Sequence, residues 1–196
     1  MLQLILAIAI WGLIHSSTAS HAFKSMLRGV LGTGFMRMYR LLYNLFSAIS
    51  IAPVLYLLLV LPDQDLYRIP PPWSWLLLLG QATSAIGLLV ALLQTDVLSF
   101  AGVRQLIEAE KPGQLVVSGM YRHMRHPLYT FGLGLLWLSP SVSVNRLVVA
   151  LAFTAYILIG IIFEERKLLR EFGSAYAEYK AVTPMLIPRP RFSGNK

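Results

Sequence analysis

The 196-residue sequence has no cysteine, which excludes disulfides, a thiol nucleophile, thiolate-bound zinc and iron–sulfur clusters. Charge is nearly as scarce. Asp, Glu, Lys and Arg make up 13% of the chain against 56% hydrophobic residues, and the mean hydropathy is +0.63, a balance that soluble domains of this length do not keep. Internal repeats, low-complexity tracts and long charged tails are missing as well. The length suits one compact membrane domain over residues 1–196, with no separate soluble catalytic domain, so any chemistry is expected at the membrane.

Four stretches approach the roughly 20 apolar residues that cross a bilayer: Leu2 to about Ala19, Tyr39 to Leu61, Trp73 to Leu93 and Asn145 to Phe163. A fifth, Pro127 to Leu138, is short and crosses only if it continues past Pro140 toward Val144 or tilts little. The expected fold class is therefore all-α: an integral membrane bundle of about five transmembrane helices. Residues 1–93 form a three-helix first part and 94–196 hold the last two spans. The chain closes on an amphipathic helix in which Leu169, Phe172, Tyr176 and Tyr179 recur at helical spacing.

The 17 Lys and Arg outnumber the 9 Asp and Glu, and their placement follows the spans. Lys24, Arg28, Arg37 and Arg40 follow the first, Arg104, Lys111, Arg122 and Arg125 the third, and Arg166, Lys167, Arg170, Lys180, Arg189, Arg191 and Lys196 the last. Arg68 and Arg146 alone fall on the opposite side. By the positive-inside rule the N-terminus is outside and loop 20–38, segment 94–126 and the C-terminal tail are cytoplasmic. The basic excess is then topological, and no nucleic-acid partner is expected. No Lys or Arg precedes Leu2, so the first span reads as an anchor rather than a cleaved signal. Pro70, Pro71 and Pro72 give a stiff lead-in to the third span, with Trp73 and Trp75 as outer-interface anchors. Gly80, Ala82, Ser84, Ala85 and Gly87 give that span a small-residue face suited to close helix packing.

Polar residues cluster at the expected cytoplasmic face in the run Gly119-Met-Tyr121-Arg122-His123-Met-Arg125-His126-Pro127-Leu-Tyr129 and at Glu164-Glu165-Arg166. Pro127 suits the first turn of a helix. The N–H groups and dipole at that start, beside Arg125, His126 and Tyr129, make a site for a carboxylate or phosphate. The last span returns antiparallel, so Glu164 and Glu165 are expected at the same depth. A pocket with Arg on one wall and carboxylates on the other suits a ligand bearing both charges, such as an amino-acid moiety with a ribose.

The run GMYRHMRHPLY, followed by EERKLLREFGSAYAEY, resembles the membrane methyltransferase superfamily. That group comprises isoprenylcysteine carboxyl methyltransferases, phospholipid N-methyltransferases, methanethiol S-methyltransferase-like proteins and NnrU-like proteins. The resemblance covers Leu115 to about Pro188. Trp11-Gly-Leu-Ile-His15-Ser16 and Tyr39-Arg-Leu-Leu-Tyr-Asn44 are similar to the NnrU-like and methanethiol-type branch. One departure is Phe131, where the family often has glycine; Gly132 comes one position later. The resemblance implies S-adenosylmethionine at the cytoplasmic face and a lipophilic or small methyl acceptor, thiol favoured over carboxylate or phospholipid amine, with membrane lipid as the surrounding partner. It implies that Leu115, Val116, Gly119 and Tyr121 line the cofactor, that His126, Tyr129 and Glu164 hold its polar groups, and that Arg125, Glu165 and Arg166 act at the reaction centre. The same branch also permits a non-catalytic membrane subunit or sensor.

Each candidate has a plainer role beside the functional one. Arg122 and Arg125 are possible topology charges, and the Arg-His-Pro context singles out Arg125. His126 can cap a helix, and Tyr121 and Tyr129 can belong to an interfacial aromatic belt. Glu164 can pair with Lys167 three residues on, whereas Glu165 meets only Leu168 and Leu169 at helical offsets, which makes it the stronger functional candidate. His15 is polar at membrane depth and a candidate substrate contact. Asp96 is either a boundary charge or a pocket wall. A di-metal site on His15, His21, His123 and His126 has too few ligands and the wrong spacing, so no metal is expected.

Overall fold

In a computed structural model the protein is a bundle of apolar helices, described over residues 1–108 and 114–188. Lys111, Arg189, Arg191 and Lys196 lie outside the described residues. The helices are α1 (Leu2–Ala19), α2 (His21–Ser50), α3 (Ala52–Val60), α4 (Trp73–Leu93), the short α5 (Val97–Ala101) and α6 (Arg104–Ile107), α7 (Pro127–Trp137), α8 (Val144–Phe172) and α9 (Ser174–Val182). Two short strands, β1 (Asp65–Arg68) and β2 (Ser141–Ser143), pair antiparallel. Among the described residues four segments are long and apolar enough to cross a membrane: α1, α2 with α3, α4 and α8.

The described residues divide into two compact units. The first takes Met1–Arg68, Asp96–Pro112 and Ser141–Phe153. Its core is Leu4, Ile8 and Val54, with Trp11, Leu57 and Phe153 packed around them. Lipid tails are as apolar as these side chains, so their mutual contact is a matter of fit rather than water exclusion. At one end Asp63 Oδ1 accepts from the N–H of Gln64 at 2.9 Å and of Asn145 at 3.0 Å, fixing the start of α8 beside β1. Segment 20–38 is helical rather than the expected loop. The Ser20 hydroxyl accepts from Phe23 N–H at 3.2 Å, a side-chain N-cap, and apolar residues 23, 26, 27, 30 and 31 recur at helical spacing. Asp96 takes the boundary role: it caps α5 through Ser99 N–H and pairs with Arg104 Nε at 2.9 Å.

The second unit takes Ile69–Thr95, Gly113–Pro140 and Thr154–Lys196 among the described residues. Here α7 retraces α4 in the opposite direction. Gln94 at the end of α4 bonds the Met120 N–H, Gln81 Nε2 donates to the Leu135 carbonyl, and Ile69 N–H at the other end donates to the Pro140 carbonyl. With 11 residues, α7 is roughly 16 Å long, about half an ordinary span. The remaining length comes from non-helical flanks: residues beyond Pro140 pair as β2 instead of extending the helix. The close approach rests on Ser84, Gly87 and Ala91, all buried. A Cβ on Gly87 would stand 2.5 Å from the Phe131 ring. Ala82 and Ala85 point off this face and are exposed.

Candidate functional site

The site begins where the chain leaves α4. Gly119 has φ +58°, a left-handed conformation, and a Cβ there would lie 2.5 Å from Gln94 Oε1, the atom that receives the Met120 N–H at 2.8 Å. Glycine is therefore required for the 3₁₀ turn Gly119–Arg122 to seat on the end of α4. Met124 and His126 are buried, and Pro127 opens α7.

The other wall comes from α8, which continues nine residues past Phe163 and so presents Glu164 and Glu165 on helix. Arg125 Nε and Nη2 each lie 2.7 Å from Glu165 Oε1. His126 Nε2 approaches the same oxygen at 3.3 Å, and Lys180 Nζ takes Oε2 at 2.7 Å. Glu164, more exposed, accepts the Tyr129 hydroxyl at 2.9 Å. Five candidates thus meet: Arg125, His126, Tyr129, Glu164 and Glu165. The Glu165 carboxylate, 9% exposed, thus has Arg125 on one oxygen and Lys180 on the other, the pairing that a buried carboxylate needs.

Gly173, with φ +55°, turns the chain into α9. That helix buries Tyr176, and Tyr179 donates its hydroxyl to the Tyr121 carbonyl. Its other face, with Ala175, Glu178 and Val182, is exposed, so the helix is amphipathic as expected. After Val182 an extended strap, residues 183–187, runs back along the start of α7. Arg125 N–H donates to Pro184 O at 2.9 Å, His126 N–H to Met185 O at 3.1 Å and Thr130 Oγ1 to Leu186 O at 2.8 Å, while Arg125 Nη1 reaches the carbonyls of Lys180 and Thr183. The two N–H groups just ahead of α7 thus bond the strap. A cleft of about 330 Å³ lies beside the strap, lined by His123, Arg125, Lys180, Thr183 and Met185 among others.

Burial, with the Glu164 charge second, pushes the Tyr121 phenol up to about 12, and burial followed by the Glu165 charge pushes Tyr176 up too. Both stay protonated at neutral pH. Arg166 is exposed, its guanidinium 5.9 Å from the Phe163 ring, and stands outside the cluster. Leu115 and Val116 are half-buried in the segment leading to Gly119. His15 belongs to the first unit, where its Nε2 is 2.8 Å from the Tyr43 hydroxyl and its ring stacks on Trp11. Gln94, Lys180 and the strap escaped the sequence reading. Pro184 and Pro188, which end α9 and keep the following carbonyls out of a helix, were the available signal for the strap.

The family described as NnrU protein matches residues 3–188. The chain belongs to the NnrU family. Several relatives bear the name methanethiol S-methyltransferase. One from a Pseudomonas species is 31% identical over 185 residues, 89% of this chain and 68% of that protein. Methanethiol S-methyltransferase 2 of Bradyrhizobium diazoefficiens is 36% identical over 126 residues, 59% of this chain and 47% of that protein. One from Crocosphaera subtropica is 34% identical over 136 residues, 63% and 52% respectively. The chain spans about half the length of the Bradyrhizobium and Crocosphaera relatives. No solved structure matches it. Family and relatives agree with the membrane methyltransferase superfamily that the motif pair of this NnrU chain resembles.

Proposed function

We propose that this NnrU-family chain transfers a methyl group from S-adenosylmethionine to a small thiol of the methanethiol class. The reaction takes place at the cytoplasmic face of a membrane in which the N-terminus is outside. One observation carries the reading: the Arg125–Glu165–His126 cluster, with Tyr129 on Glu164, lies in a chain aligned over 185 residues with a protein named for that reaction.

The residues present fit the donor. The Tyr176 hydroxyl and Thr183 Oγ1 are buried without a hydrogen-bond partner among the described residues, and both border the cluster's helix and strap. A zwitterionic amino-acid end with a ribose needs cations, carboxylates and hydroxyls close together. Arg125 and Lys180 supply the first, Glu164 and Glu165 the second, and Tyr129, Tyr176 and Thr183 the third. The bound donor supplies an activated methyl on a sulfonium, and the chain's task is to position and to exclude water. Gly119 and Tyr121, with the backbone of Leu115 and Val116, form the floor; the strap closes the cytoplasmic edge. Arg125 and Glu165 fix each other, so each holds its ligand in a set orientation. His15 with Tyr43 is a polar contact for the acceptor, and Arg166 serves the membrane boundary.

A second reading, a non-catalytic membrane subunit, draws on the fact that Glu165 already has three partners. Calorimetry of S-adenosylhomocysteine with purified chain and an Arg125→Ala variant separates the two. Micromolar binding lost in the variant supports the enzyme, and absence of binding to folded wild type supports the subunit.

A further inference from the structure

Helix α2 is broken at Gly32, where φ is 78° and ψ is 175°. The Phe23 and Tyr39 rings are 6.5 Å apart and Lys24 Nζ is 5.9 Å from the Tyr39 centroid. Sixteen residues of unbroken helix would separate Phe23 from Tyr39 by about 24 Å. The chain therefore doubles back at Gly32–Gly34 into a helical hairpin with legs 21–31 and 33–39. Tyr39 donates its hydroxyl to the Thr18 carbonyl, so the base of the hairpin sits at the end of α1. The 18 residues of α1 are roughly 27 Å long, enough to use up the hydrocarbon thickness. The hairpin consequently lies at the edge of the apolar layer.

Its composition suits that edge and neither neighbour. Residues 1–62 contain no Asp or Glu, and Arg28 and Arg37 on the hairpin, with Arg40 next to its base, are all exposed. Three cations with no ion pair among the described residues exclude the hydrocarbon interior. Met26 at 55%, Val30 at 76%, Leu31 at 49% and Met38 at 47% exposure make a fully aqueous position equally unsuitable. A shallow concavity of about 510 Å³ flanks the first leg, lined by Ser16, Ser17, Ser20, Ala22, Phe23 and Met26. Hydroxyl and apolar side chains in one lining match the junction of a lipid headgroup with its acyl chains.

We propose that the hairpin of residues 21–39 is a binding site for anionic phospholipid, its arginines on the phosphate and its apolar side chains among the acyl chains. Charge complementarity selects anionic over zwitterionic lipid. The role is independent of methyl transfer.

The test equilibrates the full-length chain in detergent with equal phosphatidylglycerol and phosphatidylcholine and counts retained lipid by native mass spectrometry. Wild type is expected to retain phosphatidylglycerol preferentially. At roughly five-fold for each cation near an anionic phosphate, the triple variant Arg28→Gln, Arg37→Gln, Arg40→Gln loses that preference by on the order of a hundred-fold. Arg28→Gln alone loses about five-fold, which keeps the test informative if the triple variant unfolds. Neutralising Arg68 and Arg146 instead leaves the preference intact. Equal retention of both lipids by wild type, unchanged preference in a folded triple variant, or equal loss from the Arg68 and Arg146 variant each overturns the proposal.

Discussion

Arg125 directs Nε and Nη2 at a single oxygen of Glu165, each at 2.7 Å, across 40 positions of sequence. The pair joins the turn before α7 to α8, and its third nitrogen, Nη1, ties in the strap. Removing the arginine leaves a carboxylate that is 9% exposed with only His126 and Lys180. Breaking one side of such a pair costs about 3–5 kcal/mol, and Lys180 keeps Arg125→Ala at the low end. The double variant Arg125→Ala, Glu165→Gln should be less destabilised than the two single losses added, with a coupling of about 1–3 kcal/mol. Thermal melts in detergent measure it; strict additivity would show that the two side chains do not act as a unit.

The strap supplies a second prediction. Thr130 Oγ1 holds Leu186 O at 2.8 Å, next to the backbone bonds from Arg125 and His126. Thr130→Val keeps the shape and deletes one hydrogen bond, worth about 1 kcal/mol. If the strap opens as a local unit, the Arg125 and His126 amides should exchange about five-fold faster in the variant while amides within α4 keep their rates. Unchanged exchange at both amides would mean that the strap is held elsewhere.

The face of α4 makes a third. Gly87→Ala places a methyl 2.5 Å from the Phe131 ring, and overpacking of this kind costs about 1–3 kcal/mol. The second change Phe131→Leu should recover most of it, because the obstructing atoms belong to that ring. Failure of the second change to rescue the melting temperature would place the strain in the backbone instead.

Local signals made much of this architecture readable from residues alone. Trp73 and Leu93 bound α4 as hydropathy predicts, and Pro127 opens α7 as a first-turn proline should. The meeting of Arg125 with Glu165 followed from two antiparallel spans of known direction. What escaped was long-range or non-periodic. Lys180 reaches Glu165 only because Gly173 turns the chain, and no offset along α8 reveals that. The strap bonds through carbonyls, which every residue has. The hairpin was hidden because hydropathy averages over Gly32 and merges two helices that run in opposite directions.

Asp63 gives a dependence on pH. Burial alone would raise its pKa, but the Ser143 hydroxyl, the Asn145 and Gln64 N–H groups and the Arg146 charge together outweigh burial and hold the carboxyl below its ordinary range. A carboxyl depressed in the folded state contributes stability above its unfolded value of about 4, and that contribution fades as pH falls through the lower folded value. Wild type should therefore lose stability on acidification through this window. Asp63→Asn should start lower at neutral pH, since the amide oxygen carries no charge toward Arg146, and lose less between about pH 5 and pH 3. Denaturation midpoints across that range test the difference. Parallel curves would mean that the bonds from Asn145 and Gln64 hold the start of α8 whatever the charge on residue 63.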